Sequence, residues 1–452
     1  MTDAPSGGDL HGRPLQPFAR SAPKKKESSM KNPTRALGLG AVALVAAMTL
    51  TACASAGTGT DSTVKTNAAT KEVTFWGSWT SAEQVAQLTA QTAAFNKSQS
   101  TFEVTYVPQE LVEQKLLTGM ASGQVPDVVL WDRYQTSLYV PKGALASIDD
   151  QISKDKVDLT QFYDQALGEM KVGDKLYGLP LLVDNRSLFY NKAILDEAGV
   201  TPPTTWDELK AAAEKVTIKD GDKLIQAGFS LSDPGLFNMW LAQAGGKALN
   251  PDDTKTAFNS PEGLSVLAFW KSLTDAGVYQ QGFGEGVDAF AQGNVAMKYD
   301  GPWALADLDK VAGLEYGIVP PLAGPDGGQG TSMGGFGLVI PEGAKNTDGA
   351  WAFMKWWTTE PQSGIDFAKI SGWIPANKTA ANDSYFTTND HYAAFIEALN
   401  VAKVRPSVTG YSDVEGKALI PALQQFMSGE LTAEQALKQA QDQGDQILAS
   451  NR

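Results

Sequence analysis

From Val73 onward the chain repeats one pattern, a short apolar run followed by a helix-length amphipathic stretch and then another short apolar run. Val73-Thr74-Phe75-Trp76 alternates like a strand. Thr80 with Glu83, or Ser81 with Gln84, offers a capping box for the helix that follows. Val85, Leu88, Thr92 and Phe95 lie on that helix's apolar stripe. A second alternating run covers Phe102 to Val107, and a helix from about Glu110 to Ser122 stops at Gly123. Asp127-Val128-Val129-Leu130-Trp131 is then continuously apolar after its first residue. Strands separated by helices through short links predict a parallel sheet covered on both faces.

The alternation continues to the C-terminus. Strands are expected at Ser187 to Tyr190, Ala227 to Ser230, Ala296 to Tyr299, Tyr316 to Val319 and Gly337 to Ile340. Thr205 and Glu208 form the capping box of a further helix. Other helices are expected around 235–244, 261–276, Thr347 to Trp357 and Thr432 to Leu448. No internal repeat or heptad pattern is visible. The 400 residues from Cys53 onward suit two domains of the usual size.

Cys53 is the only cysteine, so no disulfide can form within the chain, and stability must come from burial. Upstream of it stand Lys24, Lys25, Lys26, Lys31 and Arg35, then an apolar stretch from Ala36 to Leu50. A basic head, a short apolar segment and small residues before a cut site make a secretory signal peptide. The stretch is short for a membrane span of about 20 residues, and Gly38 and Gly40 interrupt it. Met30-Lys31 begins a complete signal peptide by itself. Leu50-Thr51-Ala52-Cys53 resembles the lipobox of bacterial lipoproteins. That resemblance implies cleavage before Cys53 and acylation of its thiol. Residues 1–52 are therefore expected to form the leader, and 53–71, rich in Ser, Thr, Gly and Ala, a flexible tether.

The chain carries a net charge of −14. The leader holds seven Lys/Arg and three Asp/Glu, so the remainder stands at −18. That balance argues against nucleic acid and against charge-driven binding to anionic lipid. No clustered His or Cys suggests a metal, no phosphate-cradling loop appears, and no cofactor is expected. Gly330-Thr331-Ser332-Met333-Gly334 satisfies the nucleophile-elbow spacing, but a Gly/Pro loop precedes it and a strand follows. His391 is the sole histidine after the leader, and it lies in a polar Asn-Asp-His-Tyr segment. Asp220-Gly221-Asp222 reads as a hairpin turn.

In open parallel α/β sheets, ligands bind beyond the carboxyl ends of the strands. That rule selects Trp76 to Trp79, Trp131 to Arg133, Asp184 to Arg186 and Asp300 to Trp303. Aromatic residues and carboxylates recur in these stretches. Flat indoles suit the C–H faces of sugars, while carboxylates and guanidinium groups suit their hydroxyls. Trp131 is equally suited to core filling, because it ends a buried strand. A glycosidase would carry similar side chains, but it needs two carboxyl groups across one bond, and no such pair stands out. A polyamine or peptide ligand is the other alternative. No enzymatic activity is expected.

Several blocks, in order, resemble the extracellular sugar-binding proteins of ABC importers, the maltose-binding-protein-like solute-binding family. They are Gly123 to Val129, Lys175 to Pro180, Leu188 to Lys192, Pro203 to Leu209, Phe290 to Trp303, and Gly372-Trp373-Ile374-Pro375. The resemblance covers about residues 70 to 450. It implies an α/β fold of two lobes, each a mostly parallel sheet flanked by helices, with the ligand between them. One lobe would comprise 72–183 and 325–374, the other 184–324 and 375–452, with crossings near 183, 325 and 375. It implies a monomer on the outer face of the cytoplasmic membrane, held by lipid, which passes a carbohydrate to the permease subunits. Transferred position by position, it implies ligand contacts at Trp131, Asp132, Arg133, Asp184 and Trp303, at Asp233 and Tyr411 where loops vary, and at Trp79 where the residue type varies; Arg186, Trp240, Asp300, Gly335 and Trp373 complete the expected ligand-binding set. Asn185-Arg186 departs from the small residues usual there.

Overall fold

Three strands at the start of the fold pair in parallel, with Glu72–Gly77 between Glu103–Pro108 and Val128–Asp132. The computed structural model describes residues 71–451, and the leader and Cys53 lie outside them. Val128, Val129, Leu130 and Trp131 are at most 1% exposed, as a strand covered on both faces requires. Phe336–Val339 returns from far along the chain to lie antiparallel to Val128–Asp132, and Gly178–Pro180 forms the other edge. Helix Ala82–Ser98 starts with a capping box made by Ser81 and Gln84, the second of the two candidate pairs. Helix Val112–Ser122 ends at Gly123 in the left-handed region. Helix Thr347–Thr359 sets Phe353 and Trp357 against Phe75, at 5.4 and 6.0 Å between ring centres. These rings hold the helix to the first sheet.

The second sheet departs from the expected parallel arrangement. Ser187–Asn191 lies in its centre, and both neighbours, Met297–Asp300 and Tyr316–Val319, run antiparallel to it. Apolar alternation marks a strand but carries no information about its direction, which the connections decide. The strand expected at Ala227 to Ser230 is reduced to a single bridge from Ala227 to Val295. Successive residues of the central strand face different cores, with Leu188 in one apolar cluster and Phe189 in the other. Phe189 meets Phe395 of helix Asp390–Ala398. In the other cluster, Trp240 of helix Phe237–Gln243 meets Trp206 and Tyr299. Asp220 and Lys223 pair across the expected hairpin turn.

A ribbon of short strands connects the two halves. Leu182–Asn185 pairs antiparallel with Ile374–Pro375 on one side and Thr331–Gly334 on the other. Ala402–Val404 joins the outer edge of Thr331–Gly334 in parallel. The tips of these strands, and of Val128–Asp132, meet at one cleft.

Candidate functional site

A cavity of about 480 Å³ lies where the first sheet, the ribbon and the segment after Met297–Asp300 converge. Its volume is in the range of small-molecule sites. Trp79, Asp132, Asp184, Arg186, Trp303, Gly335, Trp373 and Arg405 all line it. All but Arg405 were expected from the sequence. The eight come from seven separated stretches of chain.

Trp79 follows the strand Glu72–Gly77. Its carbonyl accepts a hydrogen bond from the Tyr106 hydroxyl at 2.7 Å, and its ring stacks on Phe367 and lies 5.7 Å from Trp373. Only 4% of it is exposed, so it reaches the cavity by an edge. Trp303 lies in the turn Pro302–Ala304, just after Asp300-Gly301. A side chain at Gly301 would stand 2.0 Å from atoms of the Trp303 ring, so the indole folds closely over the bare glycine backbone. Trp373 lies 5.3 Å from Trp303, giving the cavity two indoles that no other element covers completely.

Asp184 and Arg186 form an ion pair on the ribbon. The Arg186 guanidinium also sits 4.4 Å above the Trp303 ring. Its backbone is pinned by Thr331, whose hydroxyl accepts from the Arg186 N–H at 3.0 Å and donates to its carbonyl at 2.7 Å. The side-chain carboxyl of Asp132, the last residue of its strand, accepts no hydrogen bond among the described residues. Burial pushes its carboxyl up to about 7; Arg405 and Arg133 pull it down, and Glu169 and Asp184 push it further up.

Three expected contacts are instead structural. Trp131 is fully buried and meets Tyr139 edge-on at 5.1 Å, so it presents no surface to a ligand. It alternates with Asp132, and only one of the two can face the cleft. Arg133 is fully buried too. Its Nε donates to Glu169 at 3.0 Å, and its Nη groups donate to the carbonyls of Leu182 and Gly334. It bolts the first sheet to the ribbon. Gly335 makes this possible: its φ is 123°, and a Cβ there would stand 2.2 Å from the Leu182 carbonyl oxygen and 2.6 Å from an Arg133 nitrogen. Tyr411 is 1% exposed, with its hydroxyl accepting from Asn238 at 3.0 Å.

Asp233, Trp240 and Asp300 line a different cavity, of about 570 Å³, within the second half. Asp233 caps the turn Pro234–Leu236, Asp300 pairs with Lys298 at 2.8 Å, and Trp240 is a core ring, 1% exposed. The nucleophile-elbow stretch is the strand Thr331–Gly334, without the strand–turn–helix that activation requires. His391 stacks on Tyr316 at 4.3 Å and lies 3.5 Å from Asp309, outside the residues lining the 480 Å³ cavity.

Arg405 escaped the sequence reading. It stands at the tip of Ala402–Val404, a strand too short to show a period. Recognising that strand would have selected Arg405 by the same rule that selected Asp132.

Residues 90–394 match the family model described as bacterial extracellular solute-binding protein. A Brucella abortus protein named as a candidate binding protein is 29% identical over 77% of this chain and 85% of its own length. The maltotriose-binding protein of Pyrococcus abyssi is 27% identical over 67% of this chain and 66% of its own. The GacH receptor of Streptomyces glaucescens, solved unliganded and with acarbose, superposes with a TM-score of 0.73 at 26% identity, covering 84% of this chain and 99% of that one. The two-lobed architecture is common to this chain and those structures. With two sheets joined by a ribbon and a cleft at their strand tips, the chain belongs to the bacterial extracellular solute-binding protein family.

Proposed function

We propose that this chain captures a saccharide for an ABC importer and passes it to the membrane permease. The observation that carries this reading is the composition of the 480 Å³ cleft, in which two indoles, a carboxylate without a hydrogen bond and paired arginines face one space. Indoles cover the apolar faces of a sugar ring, and the polar groups hold its hydroxyls. The charges in the cleft are largely compensated, since Arg186 pairs with Asp184 and Arg405 with Glu415. That balance favours a neutral ligand. The maltotriose-binding relative and the acarbose complex of the GacH receptor support a carbohydrate.

No step of bond cleavage belongs to this function. Ligand contacts from both lobes favour the closed arrangement, and a ligand touching each state equally would shift nothing. Cys53, outside the described residues, is proposed as the lipid anchor on the outer face of the cytoplasmic membrane. Cys53→Ser is expected to release the protein into the medium, as read by fractionating cells; protein retained in the membrane fraction would contradict the anchor.

A thermal-shift screen against mono- and oligosaccharides, a polyamine and a peptide tests the ligand class. Ligand at a hundred times its Kd stabilises the folded state by about 2.7 kcal/mol. The expected result is a raised Tm with saccharide alone. A shift only with the polyamine or the peptide would overturn the reading.

A further inference from the structure

Arg186 and Trp303 both line the 480 Å³ cleft, and in this structure they stack on each other. The Arg186 guanidinium carbon lies over the face of the Trp303 ring, 4.4 Å from its centre. A stacked sugar ring would take the same place, because an indole receives a cation and an apolar C–H face on one surface. The rest of the ring is crowded too. The Gly301 backbone runs so close that a Cβ there would stand 2.0 Å from two ring atoms. Trp373 lies 5.3 Å away, tilted by 38°. With the guanidinium in place, the face that it covers is closed to a ligand.

Arg186 is held in this position but not locked. Its side chain pairs with buried Asp184, two residues earlier on the ribbon. Thr331 fixes its backbone twice, through the N–H at 3.0 Å and the carbonyl at 2.7 Å. Among the described residues, Asp184 is the one hydrogen-bonding partner of the guanidinium. Rotation about the side-chain torsions therefore carries the guanidinium off the indole while the backbone stays clamped. The cavity beside it has room for that movement.

We propose that Arg186 is a built-in competitor for the Trp303 platform: its guanidinium masks the indole face, and a saccharide stacks there by displacing it. This rests on the saccharide reading above and adds a threshold to it. Apparent affinity is the intrinsic affinity scaled by the fraction of chains that are unmasked. A cation–π contact biases that balance toward the mask by about 2- to 30-fold. A ligand too short to reach the indole leaves the mask in place, and one that covers the indole removes it.

Calorimetric titration of the full chain with maltotriose, lactose and mannotriose identifies the best binder. That saccharide is then titrated into Arg186→Ala, Arg186→Gln, Trp303→Ala and the double variant Arg186→Ala/Trp303→Ala. Arg186→Gln removes the cation but keeps a donor for Asp184, which guards against a fold weakened by an unpaired buried carboxylate. Both Arg186 variants are expected to bind about threefold to tenfold tighter than wild type. In the Trp303→Ala background the gain is expected to vanish, because no platform remains to be unmasked. A gain that survives there would come from the freed Asp184 and would overturn the proposal. Equal or weaker binding by both Arg186 variants would overturn it too.

A second readout needs no saccharide. Acrylamide quenching of Trp303 is taken as the difference between each chain and its Trp303→Phe counterpart. It is expected to rise in Arg186→Ala, where the indole face is open to the quencher. An unchanged difference would show that the guanidinium does not cover the ring in solution, and the mask would be rejected while the saccharide reading stood. If no saccharide bound any of these chains, the saccharide reading would fall, and the quenching difference would still decide whether Arg186 covers the indole.

Discussion

Gly301 and Trp303 show how a single missing side chain shapes the cleft. Gly301→Ala would place a methyl inside the present position of the indole, and the ring must swing away. Sugar affinity is expected to fall toward that of Trp303→Ala, itself about 1–3 kcal/mol weaker than wild type on the scale of a buried aromatic contact. Calorimetry of both variants checks this; unchanged affinity in Trp303→Ala would remove that residue from the site. Asp132 carries a consequence for stability. Its carboxyl is raised from the usual range near 4 to about 7 in the folded chain. A raised value stabilises the protonated folded state. The associated stability is fully present below the unfolded value and is lost as pH rises through about 7. Asp132→Asn is expected to flatten the urea midpoint between pH 5 and pH 8; a variant as pH-sensitive as wild type would show that Asp132 is not responsible. The sequence made Trp303, Asp184, Arg186 and Asp132 legible because strand tips and irregular backbone are visible in it. It could not separate Trp131 from Asp132, because a continuously apolar strand hides which face each residue takes. Arg133 was equally opaque, since its partner Glu169 lies 36 residues away.

At the scale of elements, the decisive contact is the bolt that Arg133 makes between the first sheet and the ribbon. Burial pushes the Glu169 carboxyl up, and the neighbouring Arg133 guanidinium pulls against it. Removing one member of such a pair strands the other charge, at a cost of about 3–5 kcal/mol. Glu169→Ala is therefore expected to lower the unfolding free energy by that order in a urea titration, and a loss below about 1 kcal/mol would show that water or rearrangement satisfies Arg133. Helix starts were the most legible elements, because capping is local. The Ser81 and Gln84 box and the Thr205 cap both carry their signal within four residues. The ribbon was the least legible. Its strands are two to four residues long, and their partners lie far off along the chain, as Val183 and Ile374 do. The directions of the second sheet's strands were hidden for the same reason.

The whole molecule joins two packed halves through a ribbon, and the cleft side chains stand on both sides of it. At the rim, Glu83 of the helix Ala82–Ser98 meets Lys310 at 2.6 Å. Both side chains are well exposed, and such surface pairs contribute little. That pair therefore adds little to holding the halves together, and under the proposed function ligand contacts supply the closing free energy. Closure is expected to reduce the radius of gyration in small-angle scattering when saccharide is added; an unchanged value at saturation would argue that the ligand does not bridge the halves. The proposed function is capture of a saccharide with no bond cleavage. Its decisive test is calorimetric titration of wild type with a saccharide panel. Saturable binding at one site is expected, with heat that ends when the site is full. No binding across the panel, or heat that continues as glycosidic bonds are cut, would contradict it.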